Sequence, residues 1–185
     1  RYKNAIRPGQ VLPNAQIADE SVAMAECLEA VKDVYESSPY AGIAIGFKNS
    51  GTGMGKKDIG RVLLSVEDGK LHVRTSASCM GQGIAQMCAT VICDVTGLDP
   101  RLIIHEHPDT LRTPDSGTST ASRQTVMTGE ASRRAAEKLK LALQSKELSE
   151  LEGKEFYGEY SAKTDPLGAI KENPISHVSY SYGAQ

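Results

Sequence analysis

Two glycines flank a glutamine at Gly81, Gln82 and Gly83, after a strand-like run and before a helix-like run. Glycine lets the backbone approach a ligand closely, and the first N–H groups of a helix lack partners inside that helix. Such N–H groups point toward an anion, and the uncharged Gln82 offers both a donor and an acceptor. The triplet therefore indicates a site for a phosphate oxygen, an oxo group or the edge of a heterocyclic ring. A plain strand-to-helix turn is the alternative.

A second polar segment, residues 109–125, also lies between a predicted strand and a predicted helix. Seven of the residues from 113 to 125 are serine or threonine, so hydroxyls and turn N–H groups can form an uncharged surface for oxygen ligands. A helix cap with an ordinary polar loop explains one or two hydroxyls, but not a run of this length. We predict that the two segments bind one phosphate-bearing cofactor from two sides.

Other chemistry-bearing residues form weaker candidates. His105 and His107 alternate on a predicted strand and share a face, but a zinc site needs at least three protein ligands. The glycine-rich stretch 49–57 has Lys57 where a P-loop requires serine or threonine, so we interpret it as a flexible connection. We therefore assign no catalytic residue and no metal ligand from the sequence.

The elements that must position the two segments follow from hydrophobic periodicity. A hairpin is predicted from strands at 59–66 and 70–77, because Asp68-Gly69 between strand-like runs is a strong turn signal. Apolar residues at helical spacing predict long helices over 84–95 and 123–145. The remaining predicted elements are a helix at about 19–35 and strands at 40–48, 101–107, 155–162 and 177–185.

These elements predict an α+β fold, in which two or three long helices pack against a mixed sheet with hairpins and a βαβ unit. Residues 1–38 are expected to form a connector and a helix. Residues 39–185 are expected to form the domain itself, with a last strand that is truncated in mid-pattern. The charged stretch 146–155 is expected to be a solvated surface segment.

Composition narrows the classes of partner. The net charge is −2 and the basic residues are scattered, so no nucleic-acid partner is expected. No apolar run approaches the length of a membrane span, so no membrane partner is expected either. The four cysteines contain no Cys-x-x-Cys pair, and no secretory signal precedes them, which favours reduced thiols and a cytoplasmic location.

Together, these motifs resemble the molybdenum-cofactor-binding subunit of the xanthine dehydrogenase and aldehyde oxidase family. The resemblance is carried by Met80-Gly-Gln-Gly83, Asp109-Thr110, Pro114, and Thr118-Ser-Thr-Ala-Ser-Arg-Gln-Thr125 followed by Gly129. Residues 42–49, Asn173-Pro-Ile-Ser-His177 and Tyr182 resemble the same family, so the likeness covers most of residues 40–185.

The resemblance implies a molybdenum–molybdopterin cofactor, with or without an added nucleotide. It also implies hydroxylation of a purine-like N-heterocycle or an aldehyde with oxygen from water, and electron transfer to iron–sulfur clusters and FAD on other domains or subunits. The residues expected to contact the cofactor from one side are Gly81, Gln82 and Gly83. Those expected to contact the pterin or its phosphate from the other side are Ala121, Ser122, Arg123 and Gln124.

The sequence also departs from the family pattern. The family's base is a glutamate in a late Gly-Glu segment, which neither Gly129-Glu130 nor Gly158-Glu159 matches, and Gln86 stands where threonine is common. We expect the chain to carry part of a cofactor site without the base and, alone, to be inactive and hold no molybdenum. Two other functions stay open: a cofactor-free structural or interaction domain, and an enzyme domain for a phosphorylated small molecule.

Overall fold

The computed structural model describes every residue from Arg1 to Gln185. The chain divides into two compact units, one formed by Arg1–Lys56 with Lys163–Gln185 and the other by Lys57–Ala162. Residues 1–38 thus share a unit with 39–56, and both candidate binding segments lie in the second unit. No helix is both long enough and apolar enough to span a membrane.

Ten helices and strands make up the two units. They are α1 (Met24–Ala30), α2 (Lys32–Ser37), β1 (Ile45–Ser50), β2 (Asp58–Glu67), β3 (Lys70–Arg74), α3 (Ile84–Thr96), β4 (Ile103–His105), α4 (Gln124–Leu143), β5 (Glu155–Ala162) and β6 (Ser179–Ala184). Two 3₁₀ turns, Pro100–Leu102 and Leu148–Leu151, precede β4 and β5.

The first unit contains an antiparallel pair, β1 with β6, against which α1 packs. The single helix predicted for 19–35 is wrong, because α1 begins at Met24 and a break at Val31 separates it from α2. Asp19 does not cap α1. Its carboxylate instead accepts hydrogen bonds from the backbone and hydroxyl of Ser21, which forms a local turn.

The second unit is built on a four-stranded sheet in the order β4-β3-β2-β5, antiparallel except for the parallel pair β3–β4. Asp68 and Gly69 close the β2–β3 hairpin with φ of 52° and 68°, as a type I′ turn requires. α3 connects β3 to β4, which forms the predicted βαβ unit, and α4 packs on α3, β2 and β5. The predicted α+β class is confirmed.

α4 lies unusually close to the sheet because both strands beneath it carry glycine. A Cβ at Gly60 of β2 would lie 2.2 Å from the carbonyl oxygen of Met127. A Cβ at Gly158 of β5 would lie 2.0 Å from that of Ala131. The buried face of α4 is rich in small residues, including Ala131 and Ala135. The strand glycines therefore set the distance of α4, and hence of its N-terminus, from the sheet.

One surface prediction needs correction. The charged stretch 146–155 is not uniformly solvated, since Leu148 and Leu151 are 7% and 3% exposed and belong to the core of the second unit. They lie three residues apart in a 3₁₀ turn, whose N-terminus is closed by reciprocal hydrogen bonds of Glu147 and Glu150. The charged residues thus flank a short turn whose two leucines are buried.

Candidate functional site

The two predicted binding segments lie side by side in the second unit. After β3, the backbone N–H of Ser76 donates to the carbonyl of Pro114 at 3.2 Å, and the N–H of Ser116 donates to the Ser76 hydroxyl at 2.6 Å. Further along, the hydroxyl of Ser119 donates to the carbonyl of Ser78 at 2.9 Å. The Ser/Thr loop is therefore bonded directly to the segment that leads into the Gly81 turn.

The first turn uses glycine where the backbone requires it. Gly81 and Gly83 have φ of 109° and 80°, values that L side chains rarely adopt. Gly83 is the N-cap of α3, no side chain caps this helix, and Met87 N–H to Gly83 O is its first bond. The opening N–H groups of α3 therefore have no acceptor within the helix, although that of Ile84 faces the Cys79 sulfur, which an external acceptor would have to displace.

Gln82 is exposed and folds back over its own turn. Its Oε1 accepts from the Met80 N–H at 2.6 Å, and its Nε2 donates to the Ser78 carbonyl at 3.1 Å. The carbonyl that binds Ser119 is thus shared with Gln82. A ligand that binds the Gln82 amide would have to replace these local hydrogen bonds.

The pKa of the Cys79 thiol reflects the partial positive charge of the N–H groups in this turn. Cys79 is exposed, and the backbone N–H groups of Ile84, Gly81 and Gly83 lower its pKa below the usual value of 9.0. These N–H groups therefore favour a negative charge at the mouth of the turn. The sequence marked Cys79 only by its position next to the glycines.

The second turn has a comparable backbone. Ala121 and Ser122 have φ of 52° and 50°, which is uncommon for residues other than glycine. Arg123 follows in a right-handed conformation as the N-cap of α4, again without a side-chain cap. Left-handed and then right-handed residues turn successive N–H groups toward one point, which is a known anion-binding arrangement.

The side chains of Arg123 and Gln124 are directed into the protein. Arg123 is 3% exposed and Gln124 is 7% exposed. The Gln124 Nε2 donates to the Thr118 carbonyl and to the Ser119 hydroxyl, each at 3.2 Å, while its Oε1 accepts from the Thr128 hydroxyl. Of the seven predicted cofactor contacts, these two have side chains that hold the loop itself, and the backbone N–H of Arg123 donates to the Thr120 carbonyl at 3.1 Å.

The two histidines do not assemble a metal site. His105 ends β4, and its Nε2 is buried without a hydrogen-bond partner. Burial lowers the pKa of His105, so this imidazole is neutral near pH 7. No cluster of three potential metal ligands includes either His105 or His107.

A different cluster contains residue types that can bind a metal ion, but its carboxylates are paired with an arginine side chain. Ligand atoms of Glu67, His72 and Glu106 lie within 4.8 Å of one another. Arg74, 3% exposed, binds Glu106 at 2.7 Å through Nε and Glu67 at 2.5 Å through Nη2. The carboxylates therefore already have a cationic partner, and the cluster is an ion-pair network that joins the hairpin to β4.

The glycine-rich stretch 49–57, which lies in the first unit except for Lys57, is held by hydrogen bonds and close packing. The N–H of Met54 donates to the Ser176 carbonyl at 2.7 Å, and that of Gly55 donates to the Thr164 hydroxyl at 3.0 Å. A Cβ at Gly53 would lie 2.2 Å from Nδ1 of His177. These two N–H groups therefore already have acceptors within the protein.

Residues 19–173 match the sequence profile of the molybdopterin cofactor-binding domain. The chain belongs to this family. A relative 32% identical over 128 residues, 69% of this chain and 16% of its own, is the gamma subunit of the 6-hydroxypseudooxynicotine dehydrogenase complex of Paenarthrobacter nicotinovorans. Aldehyde oxidoreductase of Megalodesulfovibrio gigas is 30% identical over 154 residues, 75% of this chain and 17% of that one.

The solved structure of aldehyde oxidoreductase from Desulfovibrio gigas matches this molybdopterin-binding domain with a TM-score of 0.80 and 28% identity. That match covers 99% of this chain and 23% of the other. The resemblance to the xanthine dehydrogenase and aldehyde oxidase family is thereby confirmed. The domain spans about one sixth of the length of the two relatives named above.

The donors on the two turns suit the cofactor of this family. Molybdopterin carries a phosphate, and both turns of the molybdopterin-binding domain present helix-terminal N–H groups with no side-chain cap. Neither turn exposes a lysine or arginine side chain, since Arg123 is buried. The residues present therefore fit a phosphate held by neutral donors.

Proposed function

We propose that this chain supplies two anion-binding turns for the molybdopterin of a longer molybdenum hydroxylase, whose substrate is an aldehyde or a purine-like N-heterocycle. One observation carries the proposal: the Ser119–Ser78 hydrogen bond joins two turns that each open an uncapped helix. Each N-terminus provides about half a positive charge from aligned peptide dipoles. Both ends acting on one phosphate would stabilise it more than either alone.

The residues of the two turns have distinct roles in this proposal. Gly81 and Gly83 let the α3 backbone approach the ligand, and Gln82 exchanges its local hydrogen bonds for the edge of the pterin. Ala121 and Ser122 present N–H groups at the entrance to α4. When bound, the cofactor supplies the oxidation of a carbon–hydrogen bond with oxygen taken from water.

The catalytic base is proposed to lie outside this chain. Arg133 donates hydrogen bonds to the Glu130 carboxylate and lowers its pKa to about 2. Arg61 likewise lowers the pKa of Glu159. A general base works best when its pKa lies near the working pH, so neither Gly-Glu glutamate is suited to that role.

Electron-transfer partners are part of the proposal. Iron–sulfur and flavin domains or subunits would receive the electrons, as the family resemblance implies. One relative is the gamma subunit of a dehydrogenase complex, which supports an assembly of this kind. The names of the aldehyde oxidoreductases support an aldehyde as substrate.

Metal analysis of Gln82→Ala in the full-length protein tests the site. The protein would be expressed with molybdate, and molybdenum and pterin would be measured per chain. We expect a loss of cofactor in Gln82→Ala and no loss in the control Gln86→Ala, because Gln86 is exposed on α3 and its side chain donates only to the Thr90 hydroxyl. Unchanged cofactor content and rate in Gln82→Ala would remove this residue from the site. A wild-type protein without molybdenum would refute the function itself.

A further inference from the structure

Arg123 donates four hydrogen bonds next to the two turns, yet its guanidinium is buried. Its Nε donates to Oδ1 of Asp58 at 2.5 Å, and its Nη2 donates to the carbonyl of Ile59 at 2.6 Å. Both acceptors belong to the first two residues of β2. Arg123 and Asp58 are each 3% exposed, so the ion pair is buried.

The same guanidinium holds the Ser/Thr loop from the inside. Its Nη1 donates to the carbonyls of Ser116 and Thr118 at 2.7 and 2.9 Å. Gly117, between them, has φ of 70°, and a Cβ there would lie 3.3 Å from Nη2. The loop therefore lies against the guanidinium, and at Gly117 the positive φ and this tight contact both disfavour a side chain.

We propose that Arg123 is a positioning residue: paired with Asp58, it anchors the Ser/Thr loop to β2 and thereby sets the spacing of the two anion-binding turns without touching the ligand. The nature of that ligand rests on the function proposed above. The positioning is a property of the chain alone.

A short series of contacts carries the positioning from Arg123 to the other turn. The guanidinium fixes the Thr118 carbonyl, the next residue, Ser119, donates to the Ser78 carbonyl, and Gln82 donates to that same carbonyl. Gln124 reinforces the loop by bonding Thr118 and Ser119. A displaced loop would therefore release the Gly81 turn as well.

The competing role, direct binding of a phosphate by the guanidinium, requires that these bonds be given up. A planar guanidinium has five N–H donors, and four hydrogen bonds to the protein already use the three nitrogens. A ligand would have to enter a site that is 3% exposed and separate a buried ion pair. The two roles predict different results for the Asp58 variant.

The first test uses the full-length protein, prepared without cofactor. Cys79 lies in the Gly81 turn, so the pH midpoint of its alkylation reports whether the turn N–H groups still converge on it. Hydrogen exchange of amides 78–84 reports the same turn independently. We expect Arg123→Lys and Asp58→Asn to raise the alkylation midpoint and to speed exchange of these amides about tenfold, at a temperature where both variants are folded.

Two further variants complete this test. Arg134→Lys is the matched control, since Arg134 lies on the exposed face of the same helix and stacks on Tyr160 at 5.0 Å. It should leave both readouts unchanged. Ser119→Ala removes the hydroxyl that donates to Ser78 and accepts from Gln124, so it should reproduce the effect even if the Arg123 variants fail to fold. Wild-type readouts in Asp58→Asn and Ser119→Ala would overturn the proposal.

The second test measures molybdenum in the full-length protein. Loss of a residue that orients the contacts of a metal group typically lowers its binding 10- to 100-fold, so we expect a loss of about tenfold or more in both Arg123→Lys and Asp58→Asn. A loss in Arg123→Lys with none in Asp58→Asn would make Arg123 a direct ligand and overturn the proposal. A wild-type protein without molybdenum would refute the proposed function, while the first test would still decide the positioning.

Discussion

Replacement of Gly158 by alanine is expected to lift α4 from the sheet. The added Cβ would lie 2.0 Å from the Ala131 carbonyl oxygen and 2.7 Å from the Ala135 nitrogen. Ordinary van der Waals contact of a Cβ begins at 3.4 Å, so the helix would have to retreat by about 1.4 Å, which is 3.4 minus 2.0. Both contacts are helix backbone, which cannot move away by a change of rotamer.

The magnitude follows from the cost of overpacking. An extra methyl group in a well-packed interior costs about 1–3 kcal/mol, and a rigid backbone neighbour favours the upper end. For a chain of this size, each kcal/mol changes Tm by about 2–4 °C. We therefore expect Gly158→Ala to lower the Tm of the second unit by about 6–12 °C, measured by circular dichroism at 222 nm and by urea unfolding.

Gly129→Ala in α4 is the matched control. A Cβ at this buried glycine would meet only the Met87 sulfur, at 3.2 Å, and the flexible end of a methionine can shift. Alanine also gains about 1 kcal/mol over glycine inside a helix, so Tm should stay unchanged or rise. If Gly158→Ala melts within about 2 °C of the wild type, the close approach of helix and sheet does not have the energetic role assigned to it here.

Three further predictions concern charge and reactivity in the second unit. Arg74 lowers the pKa of Glu106 to about 2, below its ordinary 4.5. This carboxylate therefore stabilises the fold fully above pH 4.5 and loses that contribution as the pH falls toward 2. Urea unfolding across this pH range should show the loss of stability, and Glu106→Gln should reduce the dependence of the unfolding free energy on pH. Cys79 should react fastest with iodoacetamide and Cys88 slowest, because the turn N–H groups lower the pKa of one thiol and burial raises that of the other; peptide mass spectrometry measures both. Asp58→Ala should lower the unfolding free energy by about 3–5 kcal/mol, measured with urea, because it leaves a buried guanidinium without its carboxylate.

Local sequence signals account for most of the fold of the second unit. The sequence predicts β5 at 155–162 and a hairpin turn at Asp68-Gly69, and both are observed at those residues. α3 ends at Gly97, which has the left-handed conformation expected of a helix C-cap. These features depend on turn chemistry and periodicity within a few residues, so a single sequence contains them.

The features that sequence reasoning missed depend on residues far apart in the chain. Asp58 and Arg123 are 65 positions apart, and no local pattern pairs them. The glycine of β5 that admits α4 is in contact with residues more than 20 positions earlier. Even Ala121 and Ser122, correctly placed in a turn before a helix, carry no sequence sign of positive φ, because the surrounding loop and not the residue type imposes that conformation.

The two turns also limit how completely this chain can neutralise the ligand that we propose. A phosphate carries about −1.5 to −2 charges at pH 7, whereas two helix N-termini contribute about half a positive charge each. The one arginine among the predicted contacts is already paired with Asp58. On this reasoning, the turns fix the position of a phosphate but leave roughly a third to a half of its charge uncompensated. The remaining positive charge must come from groups beyond the two turns or from solvent, which makes cofactor retention sensitive to how well the whole site excludes water.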